Sequence, residues 1–226
     1  MGLTDVFSTR EPRVVYQDYW RLVKTQPDRP KETYHCAYLI DWINTSARNF
    51  RGVLADASLA FEKSQSAWNL STTCHLLSLE LNKRLDMDKV TKIVCFGLGD
   101  MCRKPPEWVM RSESLHGHDV EASFVQPSML QHAIALTMMK ICHDKTGNAV
   151  DLLAQDPDYT EQAKTILEIN GFSVVGQHGA GGFAEVDDNS VVFSVFVKAP
   201  LKQIIADIAR PILIITDGFE VFNDSA

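Results

Sequence analysis

Several features that would assign this sequence to a common class are absent from it. No apolar run reaches 18 residues, so the sequence predicts no membrane-spanning helix. Basic residues are in the minority, with 22 Lys and Arg against 29 Asp and Glu and a net charge of −7. This balance argues against a nucleic-acid partner and against an anionic membrane surface, because both select for basic faces.

Paired cysteines are also absent. The five cysteines are odd in number and form no Cys-x-x-Cys pair, which favours buried reduced thiols. The first residues, MGLTDVFSTREPR, contain no apolar core of the kind that a secretory signal needs. We therefore expect a cytoplasmic protein.

A complete nucleotide-binding motif is missing as well. The segment KIVCFGLGDM places Gly97 and Gly99 after an apolar strand, but Cys102 occupies the position of the third glycine. The next helix is expected near Ser128, too far along the chain for its N-terminus to meet a phosphate at the glycines. The sequence therefore favours a sharp turn at a strand end over a dinucleotide site, and it predicts no cofactor.

Metal-ligand spacing is not found either. His116 and His118 have no Cys or carboxylate at ligand spacing, so no metal is expected. The sequence also contains no P-loop and no Gly-x-Ser-x-Gly nucleophile motif.

The N-terminal 90 residues are predicted to form an arm followed by helices that pack on the core. Residues 1–35 are polar, are interrupted by prolines and include aromatic residues such as Trp20. Such an arm is expected to pack on the body or to cover a cleft, since free tails contain few aromatic residues. From about residue 36 to 87 the apolar spacing is helical, and we expect two or three helices.

Strands and helices alternate after residue 91. Their patterns follow one another as KIVCFG, SMLQHAIALTMMKICHDKTG, VDLLA, DYTEQAKTILEINGF, SVV, VVFSVFV, PLKQIIADIAR and ILIIT. This alternation implies right-handed crossovers and a mainly parallel sheet. We predict a Rossmann-like, three-layer α/β domain over residues 91–226, with about five strands in the order 3-2-1-4-5. Its pocket is expected where the order reverses, at the carboxyl ends of strands one and four.

Several of these stretches, in the same order, resemble one family. GLGD, LQHAIALT, QDPDYTEQAKTILEINGFSVV, EVDDNSVVFS and PLKQIIADIARPILIITD are similar to the fungal branch of the "sensitivity to red light reduced" (SRR-like) family, over residues 92–217. The resemblance implies a Rossmann-like α/β domain. It also implies a link to light signalling and the clock, as in plants, or to haem-related regulation, as in other eukaryotes. It brings no generally established catalytic residues to this sequence.

The end of the fourth strand departs from the family pattern. Family members usually have a proline-containing polar stretch there, of the form Pro-Asn-x-Pro in fungi or Pro-His-Cys in plants and animals. This chain has Phe196-Val197-Lys198-Ala199-Pro200 instead. Phe and Val make the mouth of the predicted pocket more apolar, which favours a ligand different from the family norm.

Polar residues near the predicted strand ends are candidates for chemistry. Asp100 directly follows the glycine turn and is a candidate acid or base. His132 lies near the start of the first crossover helix, with a hydrogen-bonded core histidine as the alternative interpretation. Gln131 either contacts substrate or closes a capping box with Ser128.

Later strand ends supply further candidates. Asp156 and Tyr159 follow the second strand, where Asp156 either accepts a substrate hydroxyl or forms a plain Asp-Pro turn. Lys198 closes the fourth strand and Asp217 the fifth. These two residues either converge near Asp100 as an acid–base set or form a surface ion pair.

Together these patterns define two sets of predicted site residues. The catalytic set is Asp100, His132, Lys198 and Tyr159. The substrate-contacting set is Gly97, Gly99, Trp20, Trp108, Gln131, Asp156, Phe196 and Asp217. The expected partner is a small apolar metabolite, and a homodimer is left open.

Two functions from different classes fit these features. The first is a fungal enzyme of secondary metabolism, without metal or redox cofactor, that folds an apolar substrate for cyclisation, isomerisation or Diels–Alder-type cycloaddition. The second is a non-catalytic regulatory or interaction protein, as the resemblance alone implies. A closed apolar cavity under the arm and the loop with Trp108 favours the enzyme. A filled sheet edge with an exposed apolar patch favours the binding protein.

Overall fold

The chain divides into two compact units, Met1–Gly52 and Val53–Ala226. The computed structural model describes residues 10–16, 38–44, 52–84, 89–105, 120–176, 179–195, 197 and 201–216. Within these residues, no helix combines the length and the apolar character that crossing a membrane requires.

The first unit contains a pair of antiparallel strands. Strand β1 (Arg10–Tyr16) runs against β2 (Tyr38–Asn44), with Pro12 opposite Trp42. Residues 10–16 therefore form a strand within the predicted arm, and the helical region expected from about residue 36 does not include residues 38–44. Both segments are rich in β-branched and aromatic residues, which suit strands, and these preferences outweigh the helical spacing that the sequence suggested.

The second unit contains the remaining helices and strands. In chain order they are α1 (Ala57–Asn69), α2 (Thr72–Arg84), β3 (Lys92–Phe96), α3 (Val120–Thr146), β4 (Asp151–Gln155), α4 (Glu161–Ile169), β5 (Phe172–Val174), α5 (Gly181–Ala184), β6 (Ser190–Phe193), α6 (Leu201–Ile208) and β7 (Leu213–Ile215).

Five strands of this unit form one parallel sheet. Their order is β5-β4-β3-β6-β7, which confirms the predicted order 3-2-1-4-5. The central strand β3 pairs on one side with β4 and on the other with β6, so that Cys95 lies opposite both Ala154 and Phe193. The chain therefore reverses its winding direction between β3 and β6.

Successive side chains of β3 enter two separate cores, as the alternation of a strand requires. Ile93 and Cys95 are buried in a large cluster that includes residues of α1 to α4. Val94 and Phe96 are buried in a smaller cluster with Leu201 of α6. The helices thus cover both faces of the sheet, as the α/β prediction requires.

The helices α1 and α2 pack against α3 within the second unit. Phe61 and Trp68 of α1 are buried, and the indole Nε1 of Trp68 donates to Thr137 Oγ1 at 2.9 Å. These contacts make α1 part of the large core. The predicted domain boundary between residues 90 and 91 stays a prediction.

The long helix α3 has 27 residues and begins well before the predicted start near Ser128. Pro127 suggested a helix boundary because proline lacks the N–H that a helix interior uses. The apolar pattern nevertheless continues across it, since Val125, Met129 and Ala133 are all buried at intervals of four residues. Burial of this stripe outweighs the one backbone bond that proline cannot make.

Candidate functional site

The candidate site lies at the carboxyl edge of the sheet, between β3 and β6. Crossover helices leave this edge on opposite faces, because α3 packs in the large core and α6 in the small one. Open α/β sheets bind ligands at such a point of reversal. The loops after β3, β4 and β6 therefore form the candidate site.

The glycine loop after β3 uses its own N–H groups inside the protein. Gly97 and Gly99 adopt φ of 65° and 79°, a region that suits glycine. Gly97 N donates to Gln155 O at 3.0 Å, and Gly99 N donates to the Asp156 carboxylate at 2.8 Å. Both glycine donors are thus taken, and an anionic group occupies the place where a phosphate cradle needs free N–H groups.

Two carboxylates tie the loop after β3 to the loop after β4. Asp100 accepts from Cys102 N in its own loop at 2.6 Å and from Thr160 N in the other at 2.5 Å. Asp156 accepts from Asp158 N in its own loop and from Gly99 N in the other, both at 2.8 Å. Each carboxylate therefore fixes its own turn and the neighbouring one. We call this arrangement the reciprocal carboxylate pair, Asp100 and Asp156.

The environment of Asp156 differs from that of a surface turn. Its side chain is buried, and this burial raises the pKa of its carboxyl group, although the N–H donors of Asp158 and Gly99 oppose the rise. Arg103 adds a third link between the loops, because its guanidinium donates to Asp158 O at 2.8 Å. Asp156 thus serves as the turn residue that the sequence allowed, and it also binds the glycine loop.

His132 is a core residue of α3. Its ring is fully buried and touches Phe61 and Phe172 edge-on. Nδ1 lies 2.8 Å from Ser128 O and must donate, so Nε2, 2.8 Å from the Tyr159 hydroxyl, accepts from it. Burial lowers the pKa of His132 to about 4, against the opposing effect of the Ser128 bond.

Tyr159 is equally enclosed. Burial raises the pKa of its hydroxyl well above the ordinary value, and the nearby Asp156 adds to the effect. A neutral tyrosine that donates to a neutral histidine is a stable buried pair. The predicted alternative of a hydrogen-bonded core histidine thus describes the bonding of His132.

Gln131 does not form the predicted capping box, because Ser128 lies inside α3 and not at its start. The Ser128 hydroxyl instead donates to Gly99 O at 2.6 Å and so links α3 to the glycine loop. The side-chain oxygen of Gln131 is buried and has no hydrogen-bond partner in the part of the chain that the structure describes. This oxygen is therefore a candidate ligand contact.

Ser194 is a polar residue of this edge that the sequence interpretation missed. It follows β6, is fully buried, and its hydroxyl also lacks a partner among the described residues. The run VVFSVFV was interpreted as continuously apolar. Ser194 is the one polar residue in that run, and it was the sequence signal for a polar group at the end of the strand.

The structure brings most of the described site residues to this one region. Asp100 bonds to the loop after β4, Asp156 and Tyr159 lie in that loop, and His132 bonds to Tyr159. Five predicted residues lie outside the described residues, and their roles stay predictions. These five are Trp20, Trp108, Phe196, Lys198 and Asp217.

An open groove of about 380 Å³ lies elsewhere, between α1, α2 and α3. Its lining mixes polar and apolar side chains from Gln65, Asn69, Cys74, Ser78, Leu136, Thr137, Lys140, Ile141 and Asp144. The α3 residues among them belong to the second half of that helix, whereas Ser128 and His132 belong to the first half. The groove is therefore separate from the sheet edge.

The described thiols and acids form no recognisable metal site. Among the residues that the structure describes, no group of three or more His, Cys, Asp or Glu side chains converges as metal ligands do. Cys74, Cys95, Cys102 and Cys142 are buried and form no disulfide with one another. Burial raises the pKa of Cys102 to about 12, with Asp100 contributing, so this thiol stays protonated at neutral pH.

Comparison with known proteins identifies the family. The family profile described as the SRR1 domain matches residues 73–226, which are 154 of the 226 residues of the chain. No curated protein and no solved structure gives a significant match. The match extends the predicted span of 92–217 at both ends, contains the whole five-stranded sheet, and confirms the predicted resemblance at the level of the SRR-like family. The assignment to its fungal branch stays a prediction. The chain belongs to the SRR1 domain family.

Proposed function

We propose that this SRR1-domain protein binds a small, mostly apolar molecule at the carboxyl edge between β3 and β6. We further propose that it folds this molecule for cyclisation, isomerisation or cycloaddition, without a metal or redox cofactor. The setting that we propose is the cytoplasm of a fungus and its secondary metabolism.

One observation carries the proposal: the N–H groups and carboxylates at the glycine loop are bonded to one another. Gly99 N is taken by Asp156, and Cys102 N and Thr160 N are taken by Asp100. A site of this kind offers little to a phosphate or to a proton-transfer step. It offers a fixed shape, and a fixed shape accelerates reactions that need only the correct folding of the substrate and exclusion of water.

The character of the rim supports an apolar ligand. Val195 and Val197 follow β6 and are partly buried against the two cores. Val197 lies directly over the glycine loop, because a Cβ added at Gly97 would sit 3.1 Å from the Val197 Cα. Apolar walls next to a few polar atoms are typical of small-molecule sites.

A second candidate function is favoured by the bonding of the predicted catalytic residues. Asp100, His132 and Tyr159 each make their hydrogen bonds within the protein. A protein that only binds a metabolite as a signal needs no free acid or base. We therefore propose, as the alternative, a non-catalytic regulatory protein that uses the same edge.

Binding can be tested by native mass spectrometry of the full chain after incubation with a small-molecule extract of the source organism. The key variant is Val197→Arg, which places a charge at the rim, and the control is Ile169→Arg. Ile169 is 79% exposed at the end of α4, away from the edge. We expect a captured molecule with the wild type and the control, and none with Val197→Arg. Equal capture by all three proteins, or by none, would contradict the proposed site.

Catalysis can then be separated from signalling by chromatography of the captured molecule. Cyclisation, isomerisation and intramolecular cycloaddition change the retention time of a compound but leave its mass unchanged. The enzyme proposal predicts such a product, formed equally well in the presence of EDTA. A ligand that is recovered unchanged after long incubation supports the regulatory alternative.

The remaining partner predictions concern the whole chain. We propose that it binds neither nucleic acid nor membrane, in keeping with its net charge of −7. Whether it forms a homodimer is measured directly by light scattering coupled to size-exclusion chromatography.

A further inference from the structure

Ser194 is a fully buried residue immediately after β6. Its exposed fraction is 0%, and its backbone N–H donates to Ile215 O at 2.9 Å. Its hydroxyl has no hydrogen-bond partner among the residues that the structure describes. Buried polar groups in native proteins nearly always have a partner, because an unpaired hydroxyl loses its bonds to water without replacement. The hydroxyl of Ser194 is therefore a candidate for a hydrogen bond to a ligand.

The position of Ser194 places this hydroxyl at the reversal point of the sheet. The last paired residues of β3 and β6 are Cys95 and Phe193, so Ser194 comes one residue beyond the ladder, beside Phe96. Side chains of a strand alternate between faces. Val192 belongs to the small core with α6, so Ser194, two residues on, points to the same face.

The N-terminus of α6 lies on that face as well. The crossover from β6 through α6 to β7 joins parallel strands, so α6 runs back along the sheet and begins at the carboxyl edge. Its first residue, Leu201, is buried in the same small core as Val192. The positive end of the helix dipole is therefore directed at the edge that holds Ser194, where it favours negative charge.

The acidic groups that the structure describes at this edge lie on the other side of β3 from Ser194. Asp100 and Asp156 belong to the loops after β3 and β4, whereas Ser194 follows β6 on the other side of β3. Each of the two carboxylates is neutralised in part by two backbone N–H donors. Among the described residues, the acidic groups of this edge are thus on the β4 side, away from the first turn of α6.

We infer that the ligand of this edge is an apolar molecule with one carboxylate, which accepts a hydrogen bond from Ser194 Oγ and lies at the first turn of α6. This inference rests on the proposed binding function and adds the chemical class of the ligand. Because Ser194 is fully enclosed, neighbouring side chains have to move before the carboxylate enters. Association is then expected to be slower than the roughly 10⁵ M⁻¹s⁻¹ that is usual for an accessible site.

The test uses two probes of the same shape and opposite charge, 4-phenylbutyrate and 4-phenylbutylamine, in calorimetric titrations of the full chain. We expect the wild type to prefer the carboxylate at least about tenfold, against the overall negative charge of the protein. The Ser194→Ala variant should reduce this preference to less than about threefold. Val197→Trp, which fills the rim without adding a charge, should abolish binding of both probes.

The matched control is Ser190→Ala. Ser190 is a second fully buried serine of β6, but its hydroxyl donates to Asp187 Oδ1 at 2.7 Å and accepts from Asp187 N at 2.9 Å. Ser190→Ala should leave the probe preference unchanged and lower Tm by roughly 2–4 °C, because it removes satisfied bonds. Ser194→Ala should leave Tm of the unliganded protein unchanged or raise it, because the substitution removes a hydroxyl that makes no hydrogen bond to the described residues.

The possible failures are distinguishable. Equal carboxylate preference in the wild type and in Ser194→Ala would overturn the inference and leave the proposed binding function intact. A fall in Tm of Ser194→Ala as large as that of Ser190→Ala would also overturn it, since the hydroxyl would then already be paired in the protein. Failure of the wild type to bind either probe would contradict the inferred carboxylate ligand. The extract experiment with Val197→Arg then decides whether the proposed binding function is also contradicted.

Discussion

At the scale of single residues, Gly97 combines an unusual backbone conformation with a close contact. Its φ is 65°, and an added Cβ would meet the backbone of Val197 at 3.1 Å. Backbone atoms cannot give way as a flexible side chain does. A side chain at position 97 is therefore disfavoured both by the positive φ and by the contact with Val197.

We predict that Gly97→Ala lowers the free energy of unfolding by about 2–4 kcal/mol. The control is Gly171→Ala, where φ is 87° but an added Cβ would meet nothing within 4 Å. This control should cost only the conformational part, about 1–2 kcal/mol. Urea denaturation measures both variants, and equal losses would show that Val197 does not crowd Gly97.

The buried His132 makes a prediction about pH. Its pKa is lowered from 6.5 to about 4, so the unfolded chain binds a proton in this interval that the folded chain does not. The stabilising contribution of the neutral ring is complete above pH 6.5 and is lost as pH falls through 4. The loss is about 1.4 kcal/mol per pH unit and ~3 kcal/mol in all.

The measurement compares the pH dependence of urea unfolding in the wild type and in His132→Gln. The variant is expected to be less stable at pH 7. Between pH 6.5 and 4 its free energy of unfolding should fall less steeply than that of the wild type, by about 1.4 kcal/mol per pH unit, the slope that corresponds to one proton. The raised pKa of Asp156 acts with the opposite sign, as stability gained on acidification, and cancels in the comparison. Parallel pH profiles would contradict the account of His132.

At the scale of structural elements, the reciprocal carboxylate pair joins two loops that are far apart in sequence. Asp156→Ala removes the acceptor of Gly99 N and Asp158 N, and we predict a loss of about 1–3 kcal/mol. Hydrogen exchange should accelerate at these two amides. The Gly97 amide, which donates to the main chain at Gln155, should stay protected and serves as the internal reference.

A matched control for this prediction is Asp187→Ala. Asp187 also accepts from the backbone N–H two residues on, that of Asn189, but it lies at the opposite edge of the sheet. This variant should accelerate exchange at Asn189 and leave Gly99 unchanged. Faster exchange at Gly99 in both variants would indicate general loosening of the fold and not loss of a specific bond.

At the scale of the whole molecule, the position of α1 decides which fragment folds. Phe61 and Trp68 are buried in the large core and Trp68 bonds to Thr137 of α3. We predict that a fragment of residues 53–226 unfolds cooperatively in urea, whereas a fragment of residues 91–226 does not, because it exposes the α3 surface that α1 covers. Cooperative unfolding of the shorter fragment would support the sequence-based boundary at residue 90.

The sheet could be predicted from the sequence because its signals are local and its topology obeys general rules. The runs KIVCF and VVF are short, apolar and separated by helical patterns, and right-handed crossovers then fix their order. The start of α3 could not be placed, because Pro127 is a local signal and the burial that overrides it is not. Pro12 inside β1 misled in the same way, since proline is tolerated in a strand at certain positions only.

The residues of the candidate site could be predicted from the sequence, but the hydrogen bonds between them could not. Asp100 and Asp156 follow strand ends, and this position alone made them candidates. Their mutual bonding depends on the left-handed backbone at Gly97 and Gly99, which decides where Gly99 N points. The burial of Ser194 could not be predicted from local signals, because its backbone N–H bonds to Ile215 of β7, a strand from a distant part of the chain.

The reciprocal carboxylate pair has a consequence for anyone who recombines members of this family. Each of the two loops holds a carboxylate that accepts from its own turn and from the other loop, as Asp100 accepts from Thr160 N. Transplanting the segment after β3 alone would separate Asp100 from Thr160 N and Gly99 N from Asp156. A chimera should therefore exchange the segments after β3 and after β4 together.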